Sequence, residues 1–278
     1  MKFSLILATL ERTGEPAALL NSLAAQTYGN FEVIIVDQNT DDRLLPMIKH
    51  FSDKLLIRHY HSKPGLSRAR NIGIKQAIGD IFAFPDDDCK YPPHLLERIA
   101  EYFRKEKETD GLTGRGQDPE CRTPTSVWSG NAGLVRRLDI WQKGISFTIF
   151  LRKTVIEQVG GFDETLGIGA GTPWGSGEET DYLLRAIEKR SKIFYDPGLI
   201  VYHPEPIPVY TEKAIERACK YGKGMGKVCR KHHFPFWFMA YILIRSLFAA
   251  FFSLLRLKLL KTRFHFALFR SRLIGWLD

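Results

Sequence analysis

An α/β fold, with a mostly parallel sheet flanked by helices and a helical C-terminal appendage, is what these 278 residues predict. Apolar runs of strand length alternate with helix-period segments through roughly the first 110 residues, the pattern of strand–helix–strand units joined by right-handed parallel crossovers. The runs end in polar or acidic residues, where open sheets of this class bind ligands. From residue 207 onward the composition turns basic and apolar, which predicts a separate appendage.

The first strand is Phe3-Ser4-Leu5-Ile6-Leu7-Ala8, with Thr9-Leu10-Glu11-Arg12 at its carboxyl end. Residues 14–26 set Ala17, Leu19, Leu20, Leu23 and Ala24 at helical spacing, and Phe31-Glu32-Val33-Ile34-Ile35-Val36 forms the next strand, ending at Asp37-Gln38-Asn39. A helix over residues 42–51 and a strand over 55–60 repeat the unit. Gly65 and Ser67 suit the start of another helix, in which Arg68 and Arg70 lie two apart and cannot share a face. Arg70, with Asn71, is the one expected to look into a site.

The rest of the chain is organised around Ile81-Phe82-Ala83-Phe84-Pro85-Asp86-Asp87-Asp88-Cys89. A strand buried on both faces shows charge only where it emerges, so these three acids stand at the carboxyl edge of the sheet. Adjacent carboxylates repel, and a hard divalent cation, bridging to a diphosphate, is the usual way to hold them together. The alternative is an acidic turn capping the helix that follows Pro92 and Pro93.

After that helix, over residues 94–107, the segment 110–144 is rich in Gly, Pro and Thr and reads as an irregular, substrate-facing region. Residues 145–151 read as a strand and 153–159 as a short helix closed by Gly160-Gly161. A glycine-heavy loop from 167 to 177 then leads into Glu178-Glu179-Thr180-Asp181, a second acidic cluster that opens a helix, where the macrodipole also favours negative charge. Residues 192–195 and 199–202 read as two short strands around an Asp196-Pro197-Gly198 turn, and His203 follows at a strand end, placed to complete a cation's coordination or to serve structure.

Charge is segregated. Residues 207–278 hold 14 Lys and Arg against 3 Asp and Glu, a balance of +11 that leaves −2 for residues 1–206 out of the chain's +9. Basic charge confined to a tail, beside apolar stretches, argues against nucleic acid and for an anionic membrane surface. Lys213, Arg217, Lys220, Lys223, Lys227 and Lys231 would line one side of a helix that Gly222, Gly224 and Gly226 weaken in isolation. Residues 234–255 carry one charge, Arg245, and are long enough to span a bilayer. The later interleaving of arginine and lysine with leucine and phenylalanine favours helices lying in the interface; packing against the protein itself is the third option. Cys89, Cys121, Cys219 and Cys229 form no CxxC pair, so reduced thiols in a cytoplasmic setting are expected. The short opening apolar run lacks the length and cleavage site of a signal peptide, and the chain is expected to start inside the fold.

In order and spacing, Thr9-Leu10-Glu11-Arg12, Val36-Asp37, Ala69-Arg70-Asn71, Phe84-Pro85-Asp86-Asp87-Asp88 and Gly177-Glu178-Glu179-Thr180-Asp181 resemble the family 2 glycosyltransferases, inverting nucleotide-sugar enzymes of the GT-A (Rossmann-like) fold. The resemblance covers about residues 3–204. It implies that Thr9 and Glu11 line the nucleoside pocket, that Asp37 accepts a hydrogen bond from the base, and that Arg70 and Asn71 lie near base or phosphates. It further implies that Asp86 and Asp88 form a DxD element, Asp87 between them, holding Mg²⁺ or Mn²⁺ with the donor diphosphate, beside which His203 keeps the two roles its strand end allows. Glu179 stands where the family usually has an aspartate as general base, so the role falls to Glu179 or is shared with Asp181 or Glu178.

The domain division expected is 1–206 catalytic (1–110 nucleotide-binding, 111–206 acceptor-binding), 207–233 a basic helical linker, and 234–278 membrane-associating helices. The resemblance implies a UDP-type nucleotide sugar as donor and a glycan or lipid-linked hydroxyl as acceptor, in cell-surface polysaccharide or glycolipid synthesis, with the inner face of the membrane as the expected place. The chemistry needs these residue types: a cation to neutralise the departing diphosphate and a carboxylate to take the acceptor's proton. Two rivals remain: a sugar nucleotidyltransferase, disfavoured because no glycine follows the first strand until Gly14, and a non-catalytic subunit that keeps the fold.

Overall fold

The computed structural model describes residues 1–120, 128–204 and 210–278; Cys121 and the expected boundary at 206/207 fall outside them. An eight-stranded sheet organises the chain: β1 (Phe3–Thr9), β2 (Phe31–Asp37), β3 (Ile57–His61), β4 (Ile81–Ala83), β5 (Gly111–Gln117), β6 (Gly133–Leu134), β7 (Phe150–Arg152) and β8 (Ile193–Tyr202), in the order β3-β2-β1-β4-β7-β5-β8-β6. The first four strands are parallel to one another, β7 runs antiparallel to both β4 and β5, and β5 and β8 are again parallel.

The apolar runs are near-continuous because both faces are covered, and their alternation sorts them. Leu5, Leu7, Val33 and Ile35 belong to one core with Leu19, Leu20 and Leu23 of α1 (Gly14–Ala24), Phe51 of α2 (Leu45–Phe51), and Leu96, Ile99 and Phe103 of α4 (Leu95–Lys105). Ile6, Ile34, Val36 and Phe82 face the other way. There they meet Ala69 of α3 (Leu66–Gln76), Val155 of α6 (Lys153–Val159), and Tyr182 and Leu183 of α7 (Glu178–Glu188). A short helix, α5 (Ile140–Lys143), adds Ile140 to this second core.

Three sequence expectations change. The region 110–144 opens with β5, whose glycines admit its neighbours: a Cβ on Gly114 would overlap the Leu199 carbonyl. Residues 145–151 divide into a 3-10 turn, Ser146–Thr148, and the short β7. The Asp196-Pro197-Gly198 segment is an irregularity within one continuous strand, β8, held by Arg115 Nε donating to the Pro197 carbonyl at 2.8 Å.

The tail is α8 (Glu212–Lys231), α9 (Phe236–Leu255) and α10 (Leu259–Leu277). Thr211 caps α8 by accepting from the Ala214 N–H at 3.2 Å. The α8 glycines form a contact seam: a Cβ on Gly222 would strike Ser271, and one on Gly226 would strike the Arg272 carbonyl and, at 2.7 Å, the Trp276 nitrogen. On its other side α8 meets the loop before α7, with Gly224 against Ser176. Val228, Cys229, Phe234, Phe238, Met239 and Ile242 bury into the second core, so the tail shares a core with the sheet domain.

Candidate active site

The strand order creates the site. The chain winds from β1 outward to β2 and β3, then returns to place β4 on the other side of β1, and the crevice at such a reversal is where open sheets bind ligands. Thr9 closes β1 and the acids follow β4, with an isolated bridge pairing Ala8 and Asp86. Thr9 Oγ1 donates to Asp87 Oδ2 at 2.7 Å. Arg12 lays one nitrogen, Nη1, across two acids, 2.6 Å from Asp87 Oδ1 and 2.8 Å from Asp88 Oδ2.

The far end of β8 is brought to the same place. Lys90 and Tyr202 exchange backbone hydrogen bonds of 2.8 and 3.0 Å, and this sets His203 Nε2 3.0 Å from Asp88 Oδ1. The imidazole stacks on Phe147, 4.5 Å between centroids. Burial pushes the Asp88 carboxyl up, but His203 and then Arg12 outweigh it and hold Asp88 at about 2. Burial lowers the His203 imidazole less than Asp88 raises it, so its pKa ends above the ordinary value. Asp87 moves upward, chiefly through burial.

Asp86 accepts from Arg70 Nη2 at 3.0 Å and from Ser146 Oγ at 3.1 Å. Arg70 is almost fully buried, lies over the Phe162 ring, and with its other nitrogen reaches Glu178 Oε1 at 3.2 Å. One guanidinium therefore ties the two acidic clusters together, while Arg68 is turned away onto exposed Glu164.

The three acids of α7 have different surroundings. Glu178 is paired with Arg70. Asp181, fully buried, accepts from Lys231 Nζ at 2.7 Å, His232 Nε2 at 2.9 Å and Arg185 Nε at 2.9 Å; burial opposes its charge, but these donors hold it at about 2. Glu179 is half-buried and makes no ion pair among the described residues, with Arg70 acting on it only at a distance. Burial, then the charge of Glu178, pushes it up to about 8.

At the neighbouring strand end, Asp37 closes β2 with Oδ1 accepting from the Asn39 N–H at 2.8 Å and Asn39 Nδ2 at 2.7 Å. The Glu11 N–H donates to Asn39 Oδ1 at 2.7 Å, with Glu11 at φ 60°, so Asn39 couples the ends of β1 and β2. Asn71, by contrast, binds the loop before α7: its Oδ1 accepts from the Phe162 N–H at 2.7 Å and its Nδ2 donates to the Phe162 carbonyl at 3.0 Å. Thr9, Arg12, Asp87, Asp88 and His203 thus form one network, and Ser146, Asp86, Arg70 and Glu178 a second, the two meeting at the Asp86–Asp87 step of the chain with Glu179 beside them; the contacts of Asp181 and Asn71 lie elsewhere. Arg12 and Ser146 were not singled out from the sequence. Arg12 alone left a signal there, as a cation just after the first strand.

Oxygen donors suit a hard divalent cation, the Asp88 carboxyl is ionised at any working pH, and Arg12 already rests a positive charge on the cluster. The residues present therefore fit such an ion.

A sheet with a reversed strand beside its acidic edge is the architecture of the GT-A glycosyltransferases, and solved structures share it across nearly the whole chain. The chain belongs to glycosyl transferase family 2, whose model matches residues 4–157. S. aureus TarS 1–349 in complex with UDP-GlcNAc superposes with a TM-score of 0.61 at 20% identity, covering 99% of this chain and 92% of that one. Mannosyltransferase PcManGT from Pyrobaculum calidifontis, in complex with GDP-Man and Mn²⁺, gives 0.66 at 14% identity, covering 99% and 87%. At these identities the likeness is one of fold.

Among curated relatives, a PGL/p-HBAD biosynthesis glycosyltransferase of Mycobacterium bovis is 30% identical over 166 residues, 58% of this chain and 63% of the relative. Glycosyltransferase AglE of Haloferax volcanii is 26% identical over 248 residues, 83% and 72%. The chain thus spans under two thirds of the mycobacterial relative's length.

Proposed function

We propose that the protein transfers a sugar, with inversion at the anomeric carbon, from a UDP-linked donor to an acceptor hydroxyl in cell-surface polysaccharide or glycolipid synthesis. The observation that carries this reading is the contrast on α7: Glu178 and Asp181 are tied to cations, which leaves Glu179 as the unpaired carboxylate beside the acidic edge. A base whose pKa stands near the working pH takes a hydroxyl proton most effectively. Thr9, Glu11 and Asp37 hold the nucleoside, and Asp86 and Asp88, with His203, hold Mg²⁺ or Mn²⁺. When bound, that ion neutralises charge on the departing diphosphate. Arg70 fixes the spacing between the donor and acceptor acids, and Asp181 and Asn71 position α7 and its approach loop.

The test is turnover of a panel of nucleotide sugars, followed by Glu179→Gln. Loss of about 100-fold or more in turnover with donor affinity retained supports the assignment. Binding without turnover across the panel, even of hydrolysis, would make the chain a binding subunit instead.

The acceptor reading draws on the tail. α9 is the one helix among the described residues long and apolar enough to cross a membrane, and only 28% of its apolar window is buried. Phe248, Phe251, Phe252 and Leu255 are more than half exposed, and Leu257 is 83% exposed in the turn before α10. Apolar side chains interleaved with Arg256, Lys258 and Lys261 favour a helix pair lying in an anionic interface, on the cytoplasmic face, beside a lipid-linked acceptor. In this division residues 1–206 carry catalysis and 234–278 the membrane contact, with 207–233 joining them. Cosedimentation of the full chain with anionic vesicles, lost in Phe248→Ser/Phe251→Ser/Leu257→Ser, tests it. Unchanged solubility beside such vesicles would refute it.

A further inference from the structure

The edge of the sheet beyond β1 carries a second group of ligand-type side chains. In the parallel pairing of β2 with β3, Asp37 stands opposite His61 and Ile35 opposite His59. Paired residues share a face of a sheet, as do residues two apart on a strand, so the backbone alone puts Asp37, His59 and His61 together. Their donor atoms all lie within 4.8 Å of one another, and the two imidazole centroids are 4.7 Å apart.

The carboxylate is prepared on one side only. Oδ1 is saturated by the Asn39 backbone and side chain, which leaves Oδ2 facing His59 Nε2 at 3.1 Å. Asp37 is 1% exposed, and among the described residues no lysine or arginine pairs with it. A buried carboxylate without a fixed cation calls for compensating charge. The two neighbouring imidazoles are ligands for a borderline metal ion rather than for the hard cation suited to the oxygens of Asp86 and Asp88. His61, exposed, leaves open positions for water.

We propose that Asp37, His59 and His61 form a second cation site, selective for Zn²⁺ or a similar late first-row ion, and that a cation there excludes the nucleotide base. The exclusion rests on the reading that Asp37 receives that base; the metal site does not. Zn²⁺ is then an inhibitor competitive with the donor, acting at a place separate from the one where Mg²⁺ or Mn²⁺ supports transfer.

The experiment titrates Zn²⁺ alone into the full chain by calorimetry, with Co²⁺ as a spectroscopic substitute, for wild type, His61→Ala, His59→Gln and His203→Ala. Far-ultraviolet circular dichroism checks that each is folded; exposed His61 is the variant least able to disturb the core. Zn²⁺ affinity falling by at least about 10-fold in His61→Ala and His59→Gln, but not in His203→Ala, is the expected result. Equal affinity in wild type and both β3 variants, or no binding by wild type, overturns the site. A repeat with saturating UDP separates the two parts. Loss of the Co²⁺ spectrum supports the exclusion. Retention of it while UDP is bound overturns the exclusion and the assignment of Asp37 to the base, leaving the metal site standing.

Discussion

Asp181→Asn distinguishes a catalytic acid from a structural one. The aspartate is fully buried and holds Lys231, His232 and Arg185, two of them on or just past the tail helix α8. Its pKa is drawn from the ordinary 3.8 to about 2, which at roughly 1.4 kcal/mol per pH unit is worth on the order of 2 kcal/mol. Removing one partner of a buried ion cluster strands the others, at about 3–5 kcal/mol in comparable cases, so a loss of about 2–4 kcal/mol is expected. The pKa is depressed on folding, so this stability is present above pH 4 and lost as pH falls through about 2. Urea unfolding at pH 7 should show the full difference between variant and wild type, and the two curves should converge in acid. Turnover per folded molecule should change only a few-fold. A collapse in turnover with unchanged unfolding would refute the reasoning and make Asp181 the base.

Three further outcomes are expected. Glu179, with its pKa pushed up to about 8, ionises only as pH rises through that value, so the acidic limb of kcat/KM should lie near there and vanish from the residual activity of Glu179→Gln. Asp88→Asn should weaken UDP binding in Mn²⁺ far more than in chelator; equal loss under both conditions would remove Asp88 from the cation site. Gly226→Ala should destabilise by about 1–3 kcal/mol because the new methyl meets α10 backbone, although the same change in an open helix stabilises by about 1 kcal/mol; the sign of the change in melting temperature decides.

β1, β2 and β4 were legible because they are buried on both faces and so read as unbroken apolar runs. The acidic edge was legible for the same reason: charge after such a run has one place to emerge. β5 was not, since Gly111-Leu112-Thr113-Gly114-Arg115-Gly116-Gln117 lacks the branched residues that mark strands; its glycines answer to Leu151, Leu199 and Phe147, far away in sequence. Asp196-Pro197-Gly198 has turn chemistry, and it takes the β5 pairing on both sides, with Arg115 from β5 and Arg98 from α4 on its carbonyls, to keep it within a strand. The glycines of α8 weaken a helix in isolation, but here Gly222 and Gly226 admit α10 and Gly224 admits Ser176, contacts that sequence spacing does not announce. In the site, residue types and strand ends were legible, but partner choice was not: Arg12 meets Asp87 across 75 positions, and Asp181 meets His232 across 51.

The position of Arg12 bears on the energetics of ligand entry. Two guanidinium groups and an imidazole lie on the three acids: Arg70 on Asp86, which shares it with Glu178, Arg12 on Asp87 and Asp88, and His203 on Asp88. Part of the negative charge of this acidic edge is therefore already offset by arginine, and on the proposed reading a metal ion arriving alone displaces a guanidinium as well as gaining an oxygen. A diphosphate offers the displaced guanidinium a bidentate partner, so each ligand relieves the cost of admitting the other. Such reciprocal relief is a single coupling free energy: metal tightens nucleotide by the same factor that nucleotide tightens metal. Cross-titrations of Mn²⁺ and UDP, with Arg12→Ala as the uncoupled reference, read that factor directly.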